Sequence, residues 1–434
     1  MTATDTTLPR LQAIEQLILA GNLAAAGQQL DEVARLAPND PRVHLLGAHL
    51  AEWAGEVADA IHHTRRAASL SPRWAFARVE LALLLNRHQQ PQAALEAAEQ
   101  AVALAPQDTD VLFRMAEVAR QALQPRLALD WLERAATLSP DNPDIRRMMA
   151  RDLVQLGAHP EAMQTFDWLL TRDPNDAEAR LGRLKLALEI GDREFAQDEA
   201  DTLVAQHPDE PIYTFWQGVA RGEVPPEHPA AMTRALFDSY APVFDQHLVQ
   251  GLQYRVPERV AALVAAHHPQ GGLDLLDLGC GTGLLARHLH RGTGRWVGVD
   301  LSPRMLQRAA ELQRYNELHQ ADLLAFLKTT PAQQHDVVAA CDVFIYAGDL
   351  TQVVPEVARV LKPGGHFMVS CEAAHDGEPD LLMRPSHRYA HRASHVQALC
   401  VAAGLGDVRV EDSTIRVEDG QAIAGYILTA RKTA

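Results

Sequence analysis

The chain has 434 residues, of which 47% are apolar and 22% charged, and its formal net charge is -16. This composition excludes wholesale disorder and allows two or three domains, each with its own core. Residues 1–222 hold 32 acids against 21 bases and the remainder 24 against 19; with no basic stripe in either half, nucleic acid is a disfavoured partner.

The N-terminus, Met1 to Arg10, is polar, and no apolar run approaches membrane-spanning length. Neither a signal peptide nor a membrane span is expected, and a soluble cytoplasmic protein follows as the default. The four cysteines, Cys280, Cys341, Cys371 and Cys400, form no C-x-x-C pair. A zinc ribbon or disulfide framework is therefore not expected, and no metal site is assigned.

The first half repeats. Prolines stand at 38, 72, 106, 140, 174 and 208, always 34 residues apart, and twelve residues before each is an alanine, at 26, 60, 94, 128, 162 and 196. Gly21, Gly55, Gly157 and Gly191 mark the middle of four units, while Gln89 and Leu123 take that place in the third and fourth. A unit of this length fits two helices and two turns: glycine ends the first helix, alanine lets the helices approach, and proline interrupts the chain between units. A single pair cannot bury its apolar face, so neighbours must stack. The pattern resembles the tetratricopeptide (TPR) repeat, with units starting near Thr7, Pro41, Ala75, Thr109, Pro143 and Ala177. The resemblance implies an all-α solenoid over 1–210 whose concave face, with His49, Trp53, Phe76, Arg87, Phe113, Arg120, Arg147, Arg151 and Lys185, takes an unknown protein or peptide. Residues 211–230 read as a capping helix, Pro211 to Ala220, and a stiff linker containing Pro225, Pro226 and Pro229.

From Gly272 apolar runs alternate with amphipathic stretches, the signature of a parallel α/β sheet. Strands are expected at 273–278, 295–300, 316–320, 336–341, 366–371, 408–411 and 423–429, with helices at 283–290, 303–313, 351–361 and 394–403. The first strand runs into Leu275-Leu-Asp-Leu-Gly-Cys-Gly-Thr-Gly-Leu-Leu285. Alternate glycines let the backbone turn sharply against a ligand, and the following helix offers free amides. Gly281-Thr-Gly-Leu-Leu-Ala286 also fits the G-x-G-x-x-A loop of NAD-dependent enzymes, and Asp300, ending the second strand, suits the ribose of either cofactor. A third acid, Asp322, follows the third strand, and Lys362-Pro-Gly-Gly365 precedes the fifth.

Asp277-x-Gly279-x-Gly281-x-Gly283, Asp300 and Asp322, in that order, resemble a class I S-adenosylmethionine-dependent methyltransferase domain over 231–434. The resemblance implies a Rossmann-like α/β fold with a seven-stranded, mostly parallel sheet and S-adenosylmethionine as cofactor. Its binding residues would be Tyr240, Asp277, Gly279, Cys280, Gly281, Gly283, Asp300, Leu301, Asp322 and Leu323. A helix in 236–260 would lie over the cofactor with Tyr240 or Phe244 near it. Together with Cys341–Leu350 and Arg384–His391, the pattern resembles a bacterial group of TPR-containing methyltransferases with no defined acceptor. Acceptor-side candidates are Tyr346, Asp349, Glu372, His375, Tyr389 and His391, with Tyr346, Tyr389 and His391 as the catalytic choices. No D/N-P-P-Y sequence follows the fourth strand and no C-x-x-x-C-x-x-C is present, which disfavours adenine or cytosine amino methylation and radical chemistry. A scaffold that binds cofactor without turnover is the rival reading.

Overall fold

The computed structural model describes residues 7–241, 244–246, 248, 251–290, 292–418 and 420–433. Met1–Thr6, within the expected 1–210 solenoid region, and Pro242, Val243, His247, Val249 and Gln250 of the helix expected within 236–260, lie outside the described residues. The chain divides into two compact units, 1–199 and 200–434.

Twelve helices form six hairpins: α1 and α2 (Leu8–Leu19, Leu23–Leu36), α3 and α4 (Pro41–Trp53, Val57–Leu70), α5 and α6 (Ala75–Arg87, Pro91–Leu104), α7 and α8 (Thr109–Gln121, Pro125–Leu138), α9 and α10 (Pro143–Gln155, His159–Arg172), α11 and α12 (Ala177–Ile190, Arg193–Gln206). The division between units falls inside α12. All six period alanines have no exposed surface. A larger side chain there would have to push a neighbouring helix aside. Two residues after the period proline an acid or amide caps the next helix: Asp40, Asp108, Asn142 and Asp176 each accept a backbone N–H from the first turn. The mid-hairpin turn needs a left-handed residue. Gly21, Gly55, Gly157 and Gly191 supply it, and Gln89 and Leu123 adopt the same conformation at φ 58° and 59°.

The arginines expected on the concave face are paired across neighbouring repeats. Arg87 meets Glu52 at 2.8 Å, Arg147 meets Asp176 at 2.8 Å and Arg151 meets Glu178 at 2.5 Å. Their charges are met by acids of this chain, whereas Trp53 and Phe76 are exposed.

After the end of α12, the second unit continues with α13 (Pro211–Arg221) and α14 (Ala230–Tyr240), then the short α15 (Phe244–Gln246) and α16 (Val256–His267). The αβ alternation follows: β1 (Leu275–Leu278), α17 (Leu284–His288), β2 (Trp296–Asp300), α18 (Pro303–Glu311), β3 (Glu317–Gln320), α19 (Leu323–Thr329), β4 (His335–Ala340), α20 (Val353–Val360) and β5 (Leu361–Glu372). A small hairpin, β6 (Leu381–Met383) and β7 (Tyr389–His391), precedes α21 (Ala393–Ala402), β8 (Leu405–Glu418) and β9 (Gln421–Lys432). Among the described residues the sheet has seven strands in the order β3-β2-β1-β4-β5-β9-β8, parallel through β5 and antiparallel at β9 and β8. Leu276 and Leu278 bury one face of β1 and Leu275 the other, as a sheet covered on both sides requires.

Three local differences from expectation stand out. Among the described residues of 236–260, the α-helical stretches are the end of α14, α15 and the start of α16 rather than one helix. The Lys362–Gly365 turn lies within β5, where the partner register jumps between His335 and Val337. The last two strands are longer than their apolar cores, because β8 and β9 pair with each other along their polar ends too.

Candidate functional site

The strand order reverses between β1 and β4, and the crevice there, at the carboxyl ends of the strands, is where open α/β sheets bind ligands. A pocket opens at this place. Its floor is the loop from β1 to α17, with Asp277, Gly279, Cys280 and Gly281; Asp300 and Leu301 follow β2, and Asp322 and Leu323 follow β3.

Gly281 has φ 55°, and a side chain added there would meet only the Phe244 ring, at 3.7 Å; its bare face is open to the pocket. Its N–H donates to Asp300 Oδ2 at 2.9 Å, while Asp300 Oδ1 accepts the Ser302 N–H at 2.8 Å. Two of the carboxylate's roughly four acceptor positions are thus used to shape the loop, leaving the others for a ligand. Burial pushes the Asp300 carboxyl up, against the pull of these amides. Asp277 is buried beneath the loop and takes the Tyr315 hydroxyl at 2.6 Å; burial pushes it up to about 7. Asp322 caps α19 through the Ala325 N–H at 2.9 Å and also lines the pocket. Burial pushes the Cys280 thiol well up, so it acts as an apolar wall atom.

Of the expected cofactor residues, Gly283 and Tyr240 lie outside the pocket lining. Gly283 serves packing: a side chain there would sit 2.7 Å from Leu312. Tyr240 is exposed on α14, and Phe237 and Phe244 stand in the wall instead. On the acceptor side Tyr346 and Asp349 line the pocket, while Glu372, His375, Tyr389 and His391 do not. Tyr389 is fully buried with its hydroxyl on the Pro225 carbonyl at 2.6 Å, and buried His391 holds the Gly348 carbonyl from Nε2 at 2.8 Å. Both are spent on structure. The conspicuous Arg384–His391 motif suggested chemistry, but Tyr389 and His391 hold backbone carbonyls while Arg384 and Arg388 pair with Glu378 and Glu418.

The wall also contains groups the sequence did not single out. Arg416, 3% exposed, holds Glu372 at 2.7 Å, Glu418 at 2.8 Å and Asp342 at 3.3 Å, and Arg388 pairs with Glu418. Asp342 follows β4 with φ 58°, its N–H on Ser370 Oγ at 2.7 Å. Burial pushes its carboxyl up even though Arg416 pulls it down. These partners lie up to 76 residues apart in sequence, between Asp342 and Glu418, so no local pattern announces them.

A cradle of bare glycine backbone, carboxylates at the ends of β1, β2 and β3, and apolar Val299, Leu301 and Leu323 between them fits an adenosyl group with a diol and an ammonium. Burial favours the protonated form of Asp277, and a cation nearby would draw it back toward the carboxylate. Among the described residues no group of three His, Cys, Asp or Glu is arranged to hold a metal ion, and no helix is long and apolar enough to cross a membrane.

Residues 276–369 match the methyltransferase domain model, and residues 79–143 and 119–178 match two tetratricopeptide repeat models. Fold and site thus define a class I, S-adenosylmethionine-dependent methyltransferase domain behind an array of TPR repeats. The matches are consistent with a TPR-containing class I methyltransferase. It is 39% identical over 101 residues to the ribosomal protein L11 methyltransferase of Azotobacter vinelandii, covering 23% of this chain and 34% of that protein. It is 30% identical over 205 residues to the biotin biosynthesis bifunctional protein BioCD of Bordetella avium, covering 44% and 39%. The chain therefore spans little more than a third of the length of these curated relatives. Among solved structures, the magnesium protoporphyrin IX methyltransferase of Synechocystis PCC 6803 with bound SAH is similar at 16% identity and a TM-score of 0.37, covering 47% of this chain and 99% of that one.

Proposed function

We propose that the protein transfers the methyl group of S-adenosylmethionine to an acceptor that enters over the carboxyl ends of the strands, and that the repeats recruit the acceptor or a protein carrying it. The observation that carries this reading is the Gly281 N–H on Asp300. It fixes an open glycine loop beside a carboxylate at the end of β2. Asp300 would take the ribose hydroxyls, Asp322 the adenine edge, and Asp277, below the loop, would face the ammonium end.

The sulfonium supplies a methyl group that is already activated. What remains for the chain is to hold the two partners in line and to exclude water. Phe237, Phe244, Leu248 and Tyr254 line the pocket and suit the second task. Exposed Trp53 and Phe76 on the first helices of the repeats support a protein ligand for the array.

Titration of the full chain with S-adenosylhomocysteine and with NAD tests the cofactor. Micromolar binding of the first and none of the second is expected, and a preference for NAD overturns the reading. Labelled methyl transfer into a host lysate, by the full chain and by a chain lacking 1–199, tests recruitment. Equal labelling by both excludes it.

A further inference from the structure

Residues 222–229, between α13 and α14, form part of the pocket rather than a free spacer. Glu227 makes an antiparallel bridge with Ala347, the His228 N–H donates to the Tyr346 carbonyl at 3.2 Å, and the Asp349 N–H donates to the Pro226 carbonyl at 2.8 Å. This strap therefore adds a short edge to the loop after β4 and brings the His228 ring into the pocket wall.

The ring sits in a defined setting. Its Nε2 is 2.7 Å from the His387 carbonyl oxygen. A carbonyl only accepts, so Nε2 carries the hydrogen and the neutral ring keeps its lone pair on Nδ1. Burial pushes the ring down to about 4, which holds it neutral at physiological pH. Among the described residues Nδ1 has no hydrogen-bond partner.

His228 also ends a row of rings. Phe244, which stands 3.7 Å from the bare face of Gly281, meets Phe237 at 6.1 Å; Phe237 meets Tyr346 at 5.2 Å; Tyr346 meets His228 at 5.5 Å, each pair edge to face. A flat unsaturated ring lying along such a row finds faces and edges to pack against over its whole length. At the strap end Tyr389 is spent on Pro225, and Arg388 offers only donors. The open acceptors there include His228 Nδ1 and the exposed carboxylates of Glu227 and Asp349, the latter with only Oδ1 engaged, by the Thr351 N–H.

We propose that the strap completes an acceptor subsite for an aromatic ring bearing an O–H or N–H group, with the row of rings holding the ring and His228 Nδ1 accepting the hydrogen. The assignment rests on the methyltransferase reading of the same pocket. It is tested on the full chain, with and without S-adenosylhomocysteine, using phenol and anisole as paired probes in ligand-observed NMR titrations. Phenol carries the donor and anisole is the same ring without it. One hydrogen bond to an otherwise unpartnered acceptor predicts roughly tenfold tighter binding of phenol. His228→Phe keeps a ring in the packed position and removes both nitrogens, so it should make the two probes equal. His228→Ala should do the same if the larger ring disturbs the fold, and Glu227→Gln should leave the preference intact.

The proposal is overturned if neither probe binds, if wild-type protein binds both equally, if the preference survives in both His228 variants, or if Glu227→Gln abolishes it. Failure to bind S-adenosylhomocysteine, with the phenol preference intact in the free protein, would instead count against the methyltransferase reading and leave an aromatic-ligand site.

Discussion

The Tyr389 hydroxyl donates to the carbonyl oxygen of Pro225 at 2.6 Å, joining residues 164 apart in sequence and fastening the β6–β7 hairpin to the strap. The same strap is held from the other side by the Asp349 N–H on Pro226. Gly348, between these contacts, has no room for a side chain: an added methyl would lie 2.7 Å from the Pro226 carbonyl.

Tyr389→Phe deletes one hydrogen bond and leaves a carbonyl short of a donor, at a cost of about 1–2 kcal/mol. For a unit of this size that corresponds to a fall in Tm of roughly 2–8 °C. Because the ring is buried outside the pocket lining, S-adenosylhomocysteine affinity should stay within about twofold of wild type. Thermal melting and calorimetry on the same preparation check both halves. A large loss of cofactor affinity with an unchanged Tm would place Tyr389 in the binding machinery after all.

Asp300 and Asp322 should separate cleanly. Asp300→Asn weakens the acceptor for the Gly281 and Ser302 amides and removes the charge offered to ribose hydroxyls. At about 1.5–3 kcal/mol for a charged hydrogen bond, affinity for S-adenosylhomocysteine should drop by roughly ten- to 150-fold. Asp322→Ala loses the cap of α19 as well as a ligand contact, so it should lower both stability, by about 1 kcal/mol, and affinity. Wild-type affinity in Asp300→Asn would remove that residue from the site.

How far the sequence carried depends on how local each feature is. The 34-residue spacing placed helix starts at Pro41, Ala75, Thr109, Pro143 and Ala177, because proline, capping acid and buried alanine act within one repeat. The glycine loop and its three acids were equally legible, since each follows a strand at close range. The Arg416 cluster, the strap and His228 were not. Their partners come together only when β8, the β6–β7 hairpin and α13 have packed, and RGEVPPEHPA considered alone reads as a spacer.

Position 123 illustrates the same contrast and yields a prediction. Leu123 stands where four other repeats use glycine, adopts φ 59°, and is 79% exposed. A left-handed leucine costs roughly 1–2 kcal/mol, of which the greater chain entropy of glycine gives back about 0.5–1. Leu123→Gly should therefore stabilise the N-terminal unit by about 0.5–1 kcal/mol, since so exposed a side chain contributes little packing. Denaturant melts would show a raised midpoint with unchanged slope; a lowered midpoint means the leucine makes contacts worth more than the strain.

Asp152 contributes a pH dependence to the repeats. It lies on α9 with no exposed surface, neither carboxylate oxygen has a hydrogen-bond partner among the described residues, and the nearest cation, Arg120, is 3.9 Å away. Burial pushes its carboxyl up to about 6, with Arg120 opposing and Glu117 adding to the rise. The folded protein therefore holds this proton more tightly than the unfolded chain, whose aspartates titrate near 4. Its stabilising effect is complete below about pH 4, fades as pH rises to about 6, and is absent above that. Roughly two units correspond to about 2–3 kcal/mol. Asp152→Asn keeps the shape and cannot ionise, so it should stabilise the N-terminal unit at pH 8 by up to that amount and hardly at all at pH 4. Denaturant melts of both proteins across that range measure the difference directly. A variant less stable than wild type at pH 8 would show that the charged carboxylate is held by Arg120 strongly enough to outweigh its burial.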